Sequence, residues 1–379
     1  MFKVLTVFGT RPEAIKLAPV ILEMEKHRDK VRSRVCVTAQ HREMLDQVLS
    51  LFGITPDVDL NLMRPGQQLP ELTARVITGV SEVLQQERPD VVLIQGDTTT
   101  VMATALAAFY HKIPVGHVEA GLRSYDRYSP FPEEINRRIA SVVATYHFAP
   151  TETARQALLR EGVKEESVYL TGNTVIDALH MIINRPMPLE AKRLLSRAGV
   201  CDTSRRKLIL VTAHRRENFG RPFEEICNGL RMLVERNPDV VVLYPVHMNP
   251  NVREPVYRIL GSVERVILAE PVEYDVMVHL MNASYLVLTD SGGIQEEAPA
   301  LGKPVLVMRR ETERPEAVES GTAKLVGPDA RRIVEETERL LYDKQAYDSM
   351  AHAVSPYGDG HAAERIVRIL LKHSNPDQL

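Results

Sequence analysis

The feature that most constrains this chain is a succession, repeated in its two halves, of continuously apolar strands separated by helix-length stretches. KVLTVF, RVCVT, VVLIQ and PVGHVE make the first series; KLILVT, VVVLYP, RVILA, YLVLTD and PVLVM make the second. A strand that is apolar on both faces has to be covered on both, and parallel sheets achieve this because their crossover helices lie over each side. The pattern predicts an α/β protein of two Rossmann-type domains, each with a parallel sheet, and an interdomain cleft. A length of 379 residues agrees, since single cores seldom grow past about 250–300 residues.

Between the two series lies NRPMPLE, from Asn184 to Glu190. Its prolines remove backbone donors and fix φ, so it reads as a linker or hinge, with the boundary near residues 172–190. At the other end, SPYGDG followed by the periodic AERIVRILLK predicts a turn and a C-terminal helix.

Charge and composition exclude several classes. Lys plus Arg number 47 and Asp plus Glu 50, a net charge of -3, which argues against a protein that coats nucleic acid or anionic lipid. No apolar run approaches the roughly 18 residues of a membrane-spanning helix, and the opening MFKVLTVFGTRPEAIK lacks the longer apolar core of a signal peptide. Cys36, Cys201 and Cys227 share no short spacing, so no disulfide framework or CxxC motif is written here. The expectation is a cytoplasmic protein without nucleic-acid or membrane partners. No HExxH motif is present, and no metal ligand set is assigned.

Chemistry-bearing residues gather at strand ends. YLVLTD ends at Asp290 and leads through Ser291, Gly292 and Gly293 into IQEEA. Glycines at a strand-to-helix turn let backbone N–H groups approach an oxyanion, and the helix N-terminus adds partial positive charge; the alternative is an ordinary βα turn. Glu297 stands where a carboxylate binds ribose hydroxyls in nucleotide folds, or is a plain helical Glu. The turn after the first strand, Gly9 to Glu13, has Thr-x-x-Glu at capping-box spacing with Pro12 in the first turn. Arg11 and Lys16 either face an anion there or are solvated surface charge. Absence of GxGxxG at this turn weighs against a nicotinamide-binding domain.

Asp97 follows VVLIQG and Glu119 ends PVGHVE, both at the sheet edge where open α/β folds place ligands. Glu133 and Glu134 open a helix, where carboxylates also simply complement the dipole. Strand-end acids without a basic excess suggest proton transfer or charge stabilisation at one carbon centre. His214, with Arg215 and Arg216, follows KLILVT and suits a phosphate leaving group, or is a surface cluster; His247 in YPVHMNP reads the same way more weakly.

Taken together, GTRPEAIK, QGDT, HVEAGLRS, PEEINRR, GNTVID, TAHRREN, DSGGIQEEAP, GKPVLVMR, TERPEA and PYGDG resemble the bacterial non-hydrolysing UDP-N-acetylglucosamine 2-epimerases, in order and through nearly the whole chain. The resemblance implies a GT-B-like fold in which residues 1–172 and a returning C-terminal helix, 361–379, form the first domain and 173–360 the second. It implies reversible conversion of UDP-GlcNAc to UDP-ManNAc for cell-envelope polysaccharide synthesis, by a homodimer that uses no cofactor. Carried over by motif, Arg11, Lys16, Ser291, Gly292 and Gly293 meet the diphosphate, Glu297 the ribose, and Arg314 and His214 complete the UDP site. Asp97, Glu119 and Glu133 are the acids around the sugar, with His214 beside them. In EPVEYDVM, Val272 and Met277 stand where relatives often carry Gln and Phe against the uracil. Gln40, Gln67, Arg215 and His247 match a second, activating UDP-GlcNAc site, although Glu43 and Gly66 replace the Gln and Arg of some relatives. A hydrolysing relative, a GT-B glycosyltransferase and a non-catalytic UDP-sugar sensor are the competing readings.

Overall fold

The computed structural model describes residues 1–38, 42–62, 64, 66–200 and 206–374, apart from the side chains of 42 and 43. It divides into two compact units, Met1–Ala178 with Tyr357–Leu379, and Leu179–Pro356. The first carries strands β1 (Phe2–Phe8), β2 (Val31–Val37), β3 (Val58–Asp59), β4 (Val91–Gln95), β5 (Val115–Val118), β6 (Tyr146–Ala149) and β7 (Val168–Leu170). These form one parallel sheet in the order β3-β2-β1-β4-β5-β6-β7. The second carries β8 (Lys207–Thr212), β9 (Val240–Pro245), β10 (Val266–Ala269), β11 (Leu286–Thr289), β12 (Val305–Val307) and β13 (Ala323–Leu325). Its parallel order is β10-β9-β8-β11-β12-β13.

All the apolar runs named above became strands, and most of their apolar side chains are buried. In the first unit Leu5, Val7, Val92 and Ile94 pack with Val76, Val80 and Val83 of the helix Leu69–Glu87. In the second, Ile209, Val211, Val242, Leu288 and Leu306 pack with Phe223, Ile226 and Leu230 of the helix Arg221–Arg236. Cys36 and Cys227 are buried in these cores, where the loss of hydration pushes both thiols up to about 12.

Expected boundaries at 172/173 and 360/361 stand beside divisions after Ala178 and after Pro356. The first of these falls inside the helix Thr174–Ile183, so the proline-bearing segment 184–190 joins that helix to Leu189–Arg197 within the second unit. The C-terminal helix Ala362–His373 packs on the helix Arg11–Glu25. Its first N–H groups are held by the Asp177 carboxylate, which accepts from Ala362 N at 3.2 Å and Ala363 N at 2.8 Å, satisfying donors that the helix itself leaves open. Among the described residues no helix is long and apolar enough to cross a membrane.

Gly121 shows how tightly the edge next to Glu119 is built. Its φ is +93°, and a Cβ there would lie 2.3 Å from the Ala154 carbonyl oxygen. Gly121→Ala is therefore expected to destabilise the first unit by about 2–4 kcal/mol through combined strain and overpacking, read as a lowered urea midpoint. A midpoint equal to the parent's would contradict this packing.

Candidate active site

In each sheet the order of strands reverses direction at one place, between β1 and β4 in the first and between β8 and β11 in the second. Open parallel sheets bind ligands beyond the carboxyl ends of the strands at such a point, because the crossover helices leave to opposite sides and open a crevice. The chemistry-bearing residues of both units collect at these ends.

In the first unit, Glu119 stands at the end of β5, 7% exposed and with φ of +63°. A non-glycine residue in that region is strained, and such strain concentrates where a side chain has to be aimed. Both its oxygens accept from Lys16 Nζ, at 2.6 and 2.7 Å; Gln95 Nε2 donates to one oxygen and Asn173 Nδ2 to the other at 3.4 Å. Lys16 comes from the helix Arg11–Glu25, so a half-buried cation and a buried anion meet across the switch point. Arg11 opens the same helix and is half-buried.

Glu13 closes one half of the predicted capping box, its Oε2 accepting from Thr10 N at 2.7 Å and from Gly9 N at 3.0 Å. Its Oε1 accepts from Thr98 Oγ1 at 2.8 Å, beyond the end of β4. Burial raises its pKa, against the lowering effect of these hydrogen bonds. Asp97, one residue earlier, is ion-paired with Arg137, and its backbone oxygen accepts from Asn136 Nδ2 at 3.0 Å. Arg137 and Asn136 lie on the helix Glu133–Val143.

The two acids that open this helix have separate tasks. Glu134, with no exposed surface, accepts from Ser124 N at 2.9 Å, Ser124 Oγ at 3.1 Å and Tyr125 N at 3.3 Å, and so fixes the loop that follows Glu119. Glu133 Oε2 is buried and has no hydrogen-bond partner among the described residues. A carboxylate oxygen left in that state is available to a ligand.

In the second unit Asp290, fully buried at the end of β11, ties together the exits of β11 and β8. Its carboxylate accepts from His214 N at 2.9 and 3.0 Å, Arg215 N at 2.8 Å and Asn218 Nδ2 at 3.2 Å. His214 Nδ1 lies 3.8 Å from the same carboxylate, and its ring stacks on His247 with centroids 5.3 Å apart. Burial lowers the His214 pKa; Asp290 opposes this, and His247 and Arg215 add to it.

Ser291 stands at the N-cap position of the helix Gly292–Ala300 without a side-chain capping bond, so the glycines form its first turn, where backbone N–H groups are open to an anion. A Cβ on Gly292 would lie 3.6 Å from Arg215 Nη2 and 3.9 Å from Arg314 Cζ, which brings two guanidinium groups to that turn. Arg314 pairs with Glu296, and Arg215 Nη2 lies 3.8 Å from Glu313. Burial works to raise the Glu313 pKa, but Arg215, Arg309 and Arg314 outweigh it and hold the carboxyl below its ordinary range. Glu297 is 7% exposed on the first turns of the helix, with Oε1 3.5 Å from where a Gly293 Cβ would be. Among the described residues no group of three or more His, Cys, Asp or Glu side chains is arranged to hold a metal ion.

A profile of the UDP-N-acetylglucosamine 2-epimerase family matches residues 23–371. The UDP-N-acetylglucosamine 2-epimerase of Escherichia coli K12 is 59% identical over 370 residues, 97% of this chain and 98% of that protein. The chain belongs to this family. The crystal structure of the Neisseria meningitidis UDP-GlcNAc 2-epimerase bound to UDP-GlcNAc is similar at a TM-score of 0.89 and 53% identity, covering 98% of this chain and 100% of that one. A protein of Listeria monocytogenes solved as a putative UDP-N-acetylglucosamine 2-epimerase superposes at a TM-score of 0.92 with 47% identity, covering 98% of this chain and 96% of that one. The two Rossmann-like halves are thus the GT-B-like architecture of the UDP-GlcNAc 2-epimerases.

Set against the family expectations, Arg11, Lys16, Asp97 and Glu119 gather at the first switch point, and Glu133 opens the helix whose next turn contacts Asp97. His214, Arg215, Ser291, Gly292, Gly293, Glu297 and Arg314 gather at the second. Val272 is buried and Met277 half-buried beyond β10, two places from β8 in the sheet. Of the activating-site positions, His247 and Arg215 adjoin His214, Gln67 belongs to the first unit, where its Oε1 accepts from Arg64 N at 3.2 Å, and Gln40 lies outside the described residues. Gln95, Asn173, Arg137 and Glu313 carry no individual expectation from sequence, although their motifs do, and Asp290 reads there only as a strand end. Polar residues inside apolar strands, such as Gln95, were the available signal.

Proposed function

We propose that this member of the family interconverts UDP-GlcNAc and UDP-ManNAc without net hydrolysis, by eliminating and re-adding UDP. The observation that carries the reading is the strained, buried Glu119, paired with Lys16 and set one strand from Asp97, in a chain whose second unit offers an open helix N-terminus and two arginines.

The C2 proton of the sugar is not beside a carbonyl, so it becomes acidic only as the C1–O bond to UDP breaks and positive charge builds on C1. A carboxylate then takes the C2 proton, leaving 2-acetamidoglucal and UDP. In the return step a UDP oxygen bonds to C1 and a proton is delivered to C2 on the opposite face, so that one proton is removed and one restored. Asp97, Glu119 and Glu133 supply the acids. Arg11, Lys16, Arg314, His214 and the N–H groups after Ser291 stabilise the departing diphosphate, and their alignment before reaction is what makes them effective. Lys16 is also the cationic partner of Glu119. Glu297 holds the ribose, and Val272 and Met277 border the base, Met filling the slot by its adaptable shape. Gln40, Gln67, Arg215 and His247 form the second nucleotide-sugar site, and the working unit is a homodimer.

Incubation with UDP-GlcNAc alone tests the activity. UDP-ManNAc should accumulate to a constant ratio with its epimer while free UDP stays far below one equivalent. UDP released mole for mole would mean a hydrolase, and no turnover without an acceptor would return the glycosyltransferase and sensor readings.

A further inference from the structure

We infer that His117, a fully buried side chain on β5, is a positioning residue that sets the place of Asp97; this inference rests on the role given to Asp97 above. Asp97 sits in the turn that leaves β4, and that turn is fastened through its backbone and its flanking hydroxyl rather than by the side chain of Asp97 alone. His117 Nε2 lies 2.7 Å from the Gly96 carbonyl oxygen. A carbonyl only accepts, so the ring carries its proton on Nε2, and Nδ1 has no hydrogen-bond partner among the described residues. On the other side of the turn, Thr98 Oγ1 donates to Glu13 at 2.8 Å, and Asn136 Nδ2 donates to the Asp97 oxygen between them.

The arrangement has a consequence for the acids. His117 lies on β5 and Glu119 directly follows that strand's last residue, so a bond from His117 to Gly96 fixes the Asp97 turn to the rigid element from which Glu119 emerges. Burial pushes the His117 pKa down to about 4, against the smaller effect of its Gly96 hydrogen bond, so the ring is a neutral single donor across the working pH range. A histidine used only to fill space would not need its Nε2–H directed at the residue before Asp97. A buried Nδ1 without a hydrogen-bond partner among the described residues costs stability, as a side chain kept for the donor it presents would.

The two ring nitrogens make the inference testable, because glutamine places an amide N–H near the position of Nε2 whereas asparagine reaches only as far as Nδ1. His117→Gln, His117→Asn and His117→Phe are to be compared in kcat, KM, UDP affinity and melting temperature. The expected result is that His117→Gln retains kcat within about threefold, whereas His117→Asn and His117→Phe lose about 10- to 100-fold, the scale of a misplaced catalytic group. UDP affinity should stay level in all three. If His117→Phe does not fold, His117→Asn carries the comparison. Equal kcat in Gln and Asn variants, or loss that follows melting temperature and UDP affinity together, would overturn the inference. Wild-type protein in the same assay reports separately on the activity itself: absence of epimerisation there overturns the proposed function and not the role of His117.

Discussion

Glu119→Gln is expected to lower turnover by about 100- to 10,000-fold, the usual worth of a proton-transfer group, while UDP affinity holds or rises. The split follows from the ion pair. Lys16 donates to both oxygens of Glu119 at 2.6 and 2.7 Å, so its charge is largely compensated before any ligand arrives. An amide in place of the carboxylate keeps the shape and one acceptor oxygen but removes the counter-charge, and the ammonium then favours a diphosphate more strongly. Calorimetric titration with UDP beside steady-state kinetics reads both quantities. A parallel fall in affinity and turnover would make Glu119 a folding or binding residue and remove it from the chemistry.

Asp290→Ala should produce the largest loss of stability in the second unit, about 3–5 kcal/mol, because it orphans several buried donors at once. His214 N, Arg215 N and Asn218 Nδ2 all give hydrogen bonds to this one carboxylate, and the residue has no exposed surface through which water could replace it. Asp290→Asn keeps an acceptor oxygen and should lose roughly half as much. Because His214 and Arg215 depend on the same anchor, both variants should weaken UDP binding as well as lower the urea midpoint. An Asp290→Ala protein with the parent's midpoint would show that the β8 exit is held by other contacts.

The contrast between what the sequence disclosed and what it concealed has a physical basis. Long strands in the middle of parallel sheets are apolar on both faces, so KVLTVF, VVLIQ, KLILVT and VVVLYP announced β1, β4, β8 and β9 directly. The strands not foreseen are β3, β6, β7 and β13, all short and near or at sheet edges, where YHFA or AKL mixes polar with apolar residues and leaves no run to read. Proline marks a linker at residues 184–190 within an expected boundary region of 172–190, and the units part after Ala178 in the helix Thr174–Ile183, whose Asp177 carboxylate accepts from the start of the C-terminal helix. No local pattern encodes such a bond between residues so distant in sequence.

The same holds at the site. Strand-end acids and the Gly-rich turn were legible because chemistry and strand ends coincide in open α/β sheets. Asp290 was named but its part was not, since its donors come from the exit of β8, more than seventy residues earlier. By position alone Glu133 and Glu134 read alike as first-turn acids in PEEINRR, and the resemblance singles out Glu133. The fold gives the physical difference, with Glu134 held by the loop at Ser124 and Glu133 Oε2 without a protein partner among the described residues.

The central claim is that the C2–H bond breaks and re-forms while UDP is detached. The most direct measurement is a proton NMR time course with UDP-GlcNAc in heavy water, followed by mass analysis of both epimers. Solvent deuterium should appear at C2 of the UDP-ManNAc from the first turnovers and at C2 of the returning UDP-GlcNAc soon after. UDP-ManNAc that keeps its original C2 proton through many turnovers would contradict the account.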